Sequence, residues 1–172
     1  MNLIFDIETD GLINDVTCVH CVCIHDLNTK ETFVFNDQGD AEPITRAVTM
    51  LEEAENIIGH NSIGYDVPVL KYLYPFFSPR GTVLDTLVLS RCCHPDLLAV
   101  DNKHKWKQMP LQMYGRHSLE AYGYRLKEYK GCFGKTTDWK SWSQEMQDYM
   151  VQDVKVTIKL WHHFQKYLIG SR

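Results

Sequence analysis

The first third of the chain shows short apolar runs separated by polar, turn-forming pieces. Runs over residues 2–7, 16–25 and 31–36 have the length and the β-branched content of strands, and the pieces between them are short enough for antiparallel neighbours. A helical spacing of apolar residues follows, through Ile44, Ala47, Val48 and Leu51. The pattern therefore predicts a three-stranded meander followed by a helix.

Two units in which a strand leads into a helix come next. The short run "NIIGHN" precedes a helix that begins near Asp66, and "GTVLDTLVLS" has the pattern of a second strand running into a helix. This alternation is typical of parallel strands joined by crossover helices. The sequence thus predicts an α/β fold with a mixed five-stranded sheet, in which an antiparallel meander is joined to parallel strands and flanked by helices.

The remainder of the chain is more polar. Residues 94–115 contain two prolines and many polar or basic side chains, which predicts a long loop. A helix is expected from about 118 to 124, then an aromatic, lysine-rich connection, "KEYKGCFGKTTDWKSWS", and a final helix over 144–168 with Ser143 as its N-cap. Because no repeat or interdomain linker is visible, residues 1–172 are expected to form a single domain.

Composition limits the class of protein. The chain has 172 residues, of which 44% are apolar and 12% aromatic, so it can bury a sizeable core. No stretch approaches the roughly 18 apolar residues of a membrane span, and the N-terminal apolar run is interrupted by Asp6 and Glu8. We therefore expect a cytoplasmic protein without a membrane partner.

The net charge of −4 is unevenly distributed. Residues 1–102 carry 5 Lys/Arg and 16 Asp/Glu, whereas residues 103–140 carry 9 and 3. An acidic body with one basic segment suits a polyanionic ligand if cations mask the acids, and the alternative is a solvated lysine-rich loop.

Six cysteines are present in a chain that is large enough to fold without disulfides: Cys18, Cys21, Cys23, Cys92, Cys93 and Cys132. Free thiols in a reducing cytosol are the favoured interpretation. A zinc site built from Cys18 and Cys21 together with Cys92, Cys93 and His94 is the alternative. The run "VTCVHCVCIHD" favours a strand whose small residues face a core over such a site.

Acidic residues occur at three positions in the chain where they could bind a metal ion or take part in catalysis. Asp6 and Glu8 are two apart on a strand and share a face, although like charges so placed repel. Asp66 lies where a strand gives way to a helix, close behind Asn61, and could cap that helix. Tyr149 and Asp153 are four apart on the final helix and share a face.

The four acids Asp6, Glu8, Asp66 and Asp153 would form a set of hard oxygen ligands without thiolate or imidazole. Such a set selects Mg²⁺ or Mn²⁺ rather than zinc. Two such ions about 3.5 to 4 Å apart are the known arrangement for in-line displacement at a phosphodiester. Cations would also relieve the repulsion between Asp6 and Glu8.

The motifs D-x-E, N-x-x-x-Y-D and Y-x-x-x-D occur here in this order. They resemble the DEDD superfamily of 3′→5′ exonucleases, in its tyrosine-bearing subgroup, which has a ribonuclease H-like fold. Further stretches, "DTLVLSR", "HSLEAYGYRLKEYKG" and "EMQDYMVQDVKVT", are similar to the N-terminal proofreading domains of phage family A DNA polymerases. The resemblance covers nearly the whole chain.

The resemblance implies roles for individual residues. Asp6, Glu8, Asp66 and Asp153 would hold two divalent cations, and Tyr149 with Glu8 would orient the attacking water. The residues just after D-x-E would bind the 3′-terminal nucleotide, and Asn61 is a further candidate contact; these are Thr9, Asp10, Gly11, Leu12 and Asn61. His117, at the start of a helix, could face the substrate strand. For His117 a capping or packing role is an equal alternative, and Asp85 is not expected among the metal ligands.

The expected substrate is single-stranded DNA. Hydrolysis at its 3′ end would release 5′-mononucleotides. Six aromatic side chains lie in or near the lysine-rich segment and could stack on bases or pack in the core: Trp106, Tyr114, Tyr129, Phe133, Trp139 and Trp142. The alternatives are a 3′→5′ exoribonuclease and a non-catalytic module that binds nucleic acid or a polymerase. A polymerase domain or subunit is the expected protein partner.

Overall fold

A computed structural model describes residues 1–129 and 138–168 of the chain. The strands are β1 (Asn2–Thr9), β2 (Val19–Asp26), β3 (Thr32–Asn36), β4 (Asn56–Gly59) and β5 (Thr82–Asp85). The helices are α1 (Ile44–Glu53), α2 (Asp66–Leu73), α3 (Thr86–Cys93), α4 (Leu97–His104), α5 (Leu119–Arg125) and α6 (Gln144–Leu168), with a 3₁₀ turn over Leu111–Met113.

The strands form one sheet in the order β3-β2-β1-β4-β5. β1, β2 and β3 pair antiparallel, whereas β1 with β4 and β4 with β5 pair parallel. The predicted five-stranded mixed sheet is therefore confirmed, as is the predicted order of elements from β1 to α3.

Both faces of β1 are covered, because its side chains alternate between two apolar clusters. Leu3, Phe5 and Ile7 join the cluster that includes α1 and α2. Ile4 joins the opposite cluster, which contains Met146 and other residues of α6. Since side chains two apart on a strand share a face, Asp6 and Glu8 follow Ile4 toward α6.

The predicted loop over 94–115 is wrong in part, because it contains α4 and the 3₁₀ turn. α4 is anchored by Asp101, which is fully buried and forms a 2.6 Å ion pair with Arg125 of α5. The same carboxylate accepts hydrogen bonds from Trp106 Nε1 at 2.9 Å and Gly115 N at 2.8 Å. An apolar periodicity cannot reveal a helix whose inward face carries a charge.

The predicted N-cap of the final helix, Ser143, lies at its expected place, and Ser118 caps α5 as well. Ser118 Oγ accepts a hydrogen bond from Ala121 N at 3.4 Å, and Ser143 Oγ accepts one from Met146 N at 3.1 Å. The helix predicted near Asp66 begins at that residue. Its side chain accepts hydrogen bonds from its own N–H, the first N–H of the helix, and from Ile7 N–H.

The five cysteines among the described residues are free thiols, as expected, and Cys132 lies outside those residues. Burial raises the pKa of both the Cys21 and Cys23 thiols, which disfavours thiolate ligands. Within the described part of the chain, the one group of three or more potential metal ligands that converges is made of carboxylates. The zinc alternative is therefore not supported. None of the described helices combines the length and apolar character of a membrane span.

Candidate active site

Three of the predicted ligands meet where α6 crosses the sheet. Asp6 and Glu8 point from β1 toward α6, and Asp153 points back from that helix. One carboxylate oxygen from each residue lies within 4.8 Å of the others. Asp153 is 3% exposed and Glu8 is 9% exposed, so the acids are held together in a poorly solvated position. Such crowding of like charges favours a cation among them.

Asp66 joins this group from α2. It is 5% exposed, and burial raises the pKa of its carboxyl to about 7. The hydrogen bond from Ile7 N–H ties Asp66 to β1 at the position between Asp6 and Glu8. All four predicted ligands and Tyr149 line one cavity of about 220 Å³, so the structure brings together the five residues predicted to be catalytic.

A second cavity of about 320 Å³ adjoins the first and is lined by the four loop residues predicted to bind the terminal nucleotide, Thr9, Asp10, Gly11 and Leu12. The two cavities share Glu8, Tyr65 and Trp139 among their walls. Tyr65 OH donates a hydrogen bond to the Gly11 carbonyl at 2.5 Å, which fixes the turn after β1. Leu12 is 74% exposed and free to meet a ligand.

Asp10 has a structural use within this turn. Its carboxylate accepts hydrogen bonds from Thr17 N at 2.8 Å and Cys18 N at 3.0 Å, and from the Thr17 hydroxyl. Desolvation acts to raise the pKa of Asp10, but these hydrogen bonds outweigh it and lower the pKa to about 2. Asp10 therefore holds the β1–β2 loop in shape, and its contact with substrate stays a prediction.

Asn61 lines the acidic cavity in a left-handed backbone conformation, with φ of 64°. The Asp85 carboxylate supports this loop, since it accepts hydrogen bonds from Asn61 N at 2.9 Å and Ile63 N at 3.0 Å. It also accepts one from Leu87 N and so caps α3. Asp85 is thus occupied by backbone donors, in keeping with its exclusion from the predicted ligand set.

Nothing in the sequence indicated that two further residues, Trp139 and His20, would lie at the site. Trp139, considered there only as one of six aromatics, lies between the acidic cavity and the loop cavity. His20 on β2 is 8% exposed, and its Nε2 donates to the Trp139 carbonyl at 2.8 Å. The two residues are 119 positions apart, so local pattern could not have paired them.

A third cavity, of about 770 Å³, shares His60, Asn61 and Tyr149 with the acidic one. The acidic cavity and this third cavity together form a continuous groove, which we call the active-site groove. The walls of the third cavity also include Arg116 and His117, which give this end of the groove a basic character. His117 Nδ1 lies 2.5 Å from Ser90 Oγ. Burial, together with nearby cationic side chains, lowers the pKa of His117. The imidazole is therefore both packed and groove-lining, so the two roles considered for it are compatible.

The remaining aromatic candidates divide between core and surface. Trp142 packs against the cluster around Met146, and Tyr114 packs against the cluster around Met109. Trp106 and Tyr129 line a separate surface cleft. Phe133 lies outside the described residues.

Comparison with known proteins adds an independent observation. A family model described as RNase_H superfamily matches residues 3–165. The DNA-directed DNA polymerase of Escherichia phage T7 is 33% identical over 177 residues, which cover 90% of this chain and 25% of the polymerase. The chain thus spans about a quarter of the length of that relative.

Solved structures share the fold at low sequence identity. Brucella melitensis NrnC with bound Mg²⁺ superposes with a TM-score of 0.61 at 19% identity, over 98% of this chain and 73% of NrnC. Escherichia coli RNase D, an exoribonuclease involved in structured RNA processing, gives a TM-score of 0.57 at 14% identity, over 95% and 40% of the two chains.

Proposed function

This chain belongs to the RNase_H superfamily, and from that premise we propose that it is a metal-dependent 3′→5′ exonuclease that removes nucleotides from the 3′ end of single-stranded DNA. The observation that carries the proposal is the convergence of Asp6, Glu8 and Asp153 within 4.8 Å, in a cavity that Asp66 and Tyr149 complete.

The donor set fits divalent cations of the hard class. Four carboxylates supply only oxygen ligands, and three of them are already close enough to share an ion. We assign Asp6, Glu8, Asp66 and Asp153 as ligands of two ions, Mg²⁺ or Mn²⁺. Bound ions would lower the pKa of an attacking water and stabilise charge on the leaving oxygen.

The side chains of this chain orient the reactants. A tyrosine hydroxyl ordinarily has a pKa of about 10 and is a poor base at neutral pH. Tyr149 is therefore assigned to position the attacking water rather than to deprotonate it. Glu8 lies at the junction of the acidic cavity and the loop cavity, so it can touch both that water and the terminal nucleotide.

The loop cavity suits the terminal nucleotide. Its walls include the apolar Leu12 and the rings of Tyr65 and Trp139, which can pack against a base and sugar. Asn61 and His117, along the same groove, are assigned to contacts with the strand. The likeness to a phage DNA polymerase favours DNA as substrate and a proofreading role with a polymerase domain or subunit.

Labelled oligonucleotides test the proposal. Single-stranded DNA and RNA carrying a 3′ or 5′ label are incubated with Mg²⁺, Mn²⁺ or chelator. We expect mononucleotide release from the 3′ end of DNA with either ion and none with chelator. Asp6→Ala and Asp153→Ala should each nearly abolish release, whereas Asp40→Ala, at an exposed position, serves as the matched control.

Two results would contradict the proposal. Release from RNA alone would show the exoribonuclease alternative, which the fold likeness to RNase D makes worth testing. Equal rates for the wild type and Asp6→Ala would show that the proposed metal site does not take part in hydrolysis.

A further inference from the structure

A surface cleft of about 590 Å³ lies between residues 104–109 and the end of α5. Its walls include three lysines and three aromatic side chains, namely Lys105, Lys107, Lys127, Trp106, Tyr124 and Tyr129. We call it the lysine–aromatic cleft. Among the described residues, its walls share no member with the three cavities of the candidate active site.

The cleft is positively charged. The side chains of Lys105, Lys107 and Lys127 are exposed. Two acids that neighbour the cleft in sequence are engaged elsewhere: Asp101 is buried against Arg125, and Glu128 forms a 2.7 Å ion pair with Lys159. The cleft lysines therefore present cationic charge to solvent on a molecule whose net charge is −4.

Flat aromatic faces accompany this charge. The His104 and Trp106 rings stack with centroids 3.5 Å apart and an angle of 12°. The indole is held in place by its hydrogen bond to Asp101. Tyr129, 47% exposed, packs edge-on against Tyr124 at 5.6 Å. Lysines interleaved with fixed aromatic rings are the combination that binds single strands, through phosphate contacts and base stacking.

The backbone at two cleft lysines is unusual. Lys105 has φ of 57° and Lys127 has φ of 54°, in the left-handed region that glycine adopts most easily. Glycine would satisfy both positions with less strain. Replacing either lysine with glycine therefore removes the charge without straining the backbone.

The cleft lies close to the active-site helix. Gln152, the residue before Asp153 on α6, donates from Nε2 to the Tyr129 carbonyl at 3.0 Å. In addition, the basic end of the active-site groove contacts the first turn of α5, and the cleft contacts Tyr124 near its last turn. Seven helical residues rise about 10 Å, which a few nucleotides can cover.

We propose that the lysine–aromatic cleft binds single-stranded nucleic acid upstream of the 3′ end that occupies the active site. The lysines contact phosphates, and the rings of Trp106 and Tyr129 stack on bases. This inference rests on the proposed function for its substrate, but it concerns a surface outside the catalytic residues.

The test uses substitutions that suit the backbone. In Lys105→Gly/Lys127→Gly, two charges are removed while the left-handed conformations become easier, so the variant should fold, and an unchanged Tm checks this. Lys30→Gly is the matched control, because Lys30 has φ of 68° and lies in the turn between β2 and β3, at the opposite end of the sheet from the acids.

Binding of a fluorescein-labelled oligo(dT) of about 12 nucleotides is measured by anisotropy in EDTA, from about 0.05 to 0.3 M KCl. Loss of two phosphate contacts should flatten the slope of log K against log[salt] by about 1.4 and weaken binding on the order of 20-fold at about 0.1 M salt. Lys30→Gly should match the wild type. Tyr129→Leu should weaken binding without changing the slope, since it removes stacking alone.

An unchanged slope and affinity in the double variant would overturn the proposal, as would an equal loss in Lys30→Gly. Failure of the wild type to bind the oligonucleotide would also overturn it. Mononucleotide release from labelled single-stranded DNA by the wild type, measured in parallel with Mg²⁺, tests the proposed function separately. Salt-dependent binding through the cleft without hydrolysis would support this inference and contradict the nuclease assignment.

Discussion

Tyr149 lies four residues before Asp153 on α6 and lines the acidic cavity, where its hydroxyl can hold a water. We expect Tyr149→Phe to lower kcat by roughly 10 to 100-fold, which is less than the loss in Asp6→Ala, because positioning is weakened while the metal ligands remain. Initial rates on a saturating single-stranded substrate measure this. If Tyr149→Phe proves as inactive as Asp6→Ala, the residue has a larger role than positioning.

We expect Asp66 to give the proposed reaction a pH dependence. Its carboxyl pKa is raised to about 7 by burial, so below that pH a proton competes with the cation for the same oxygens. The Mn²⁺ concentration needed for half-maximal activity should therefore rise by about tenfold per unit as pH falls below about 7, and level off above it. Metal titrations at several pH values measure this. A requirement that does not change between about pH 5 and 8 would contradict the role of Asp66 as a ligand.

At the scale of elements, the site depends on how β2 fixes the segment that precedes α6. His20 Nε2 holds the Trp139 carbonyl at 2.8 Å, and Trp139 forms a wall of both the acidic cavity and the loop cavity. We therefore expect His20 to act through Trp139 as a positioning residue. Its contribution should appear in substrate binding more than in the chemical step.

We expect His20→Ala to raise KM for a single strand by about 2 to 10-fold with a smaller change in kcat, as the loss of one hydrogen bond would give. His20→Gln, which retains a donor, should recover part of the loss. His25→Ala is the matched control, because His25 is equally buried on the same strand and bonds Thr32 away from the site. Equal KM values for His20→Ala and His25→Ala would remove the positioning role.

At the scale of the whole molecule, we expect the clustered acids to make stability depend on cations. Binding to the folded state alone stabilises it by about 2.7 kcal/mol at 100 times Kd, which for a chain of this size raises Tm by roughly 5 to 10 °C. Asp6→Asn should remove most of this Mn²⁺-dependent shift, and in EDTA it should melt at or above the wild-type Tm because one repulsion is relieved. Calorimetry with and without Mn²⁺ measures both. If Asp6→Asn showed the same Mn²⁺-dependent rise in Tm as the wild type, the cations would bind at a site that does not involve Asp6.

The sequence by itself determined the order of elements from β1 to α3 and the spacing of the acids, because both depend on local periodicity. The alternation through Ile4, Asp6 and Glu8 predicts that the two acids share a face, and the helical spacing of Tyr149 and Asp153 predicts the same for α6. The antiparallel meander and the crossovers also follow from the order and length of neighbouring runs. These features need no knowledge of what lies across the fold.

Only the tertiary structure decided which partners meet. α4 depends on the pairing of Asp101 with Arg125, 24 residues away, and the wall of the site depends on His20 reaching Trp139, 119 residues away. Likewise, Lys105 and Lys127 belong to different segments of the chain and become one cleft only when α4 and α5 pack together. A hydrophobic pattern predicts which face of a helix or strand is buried. It does not predict which polar group from a distant part of the chain will contact that face. Those contacts exist only once the chain has folded, because burial creates the need for the partner that satisfies it.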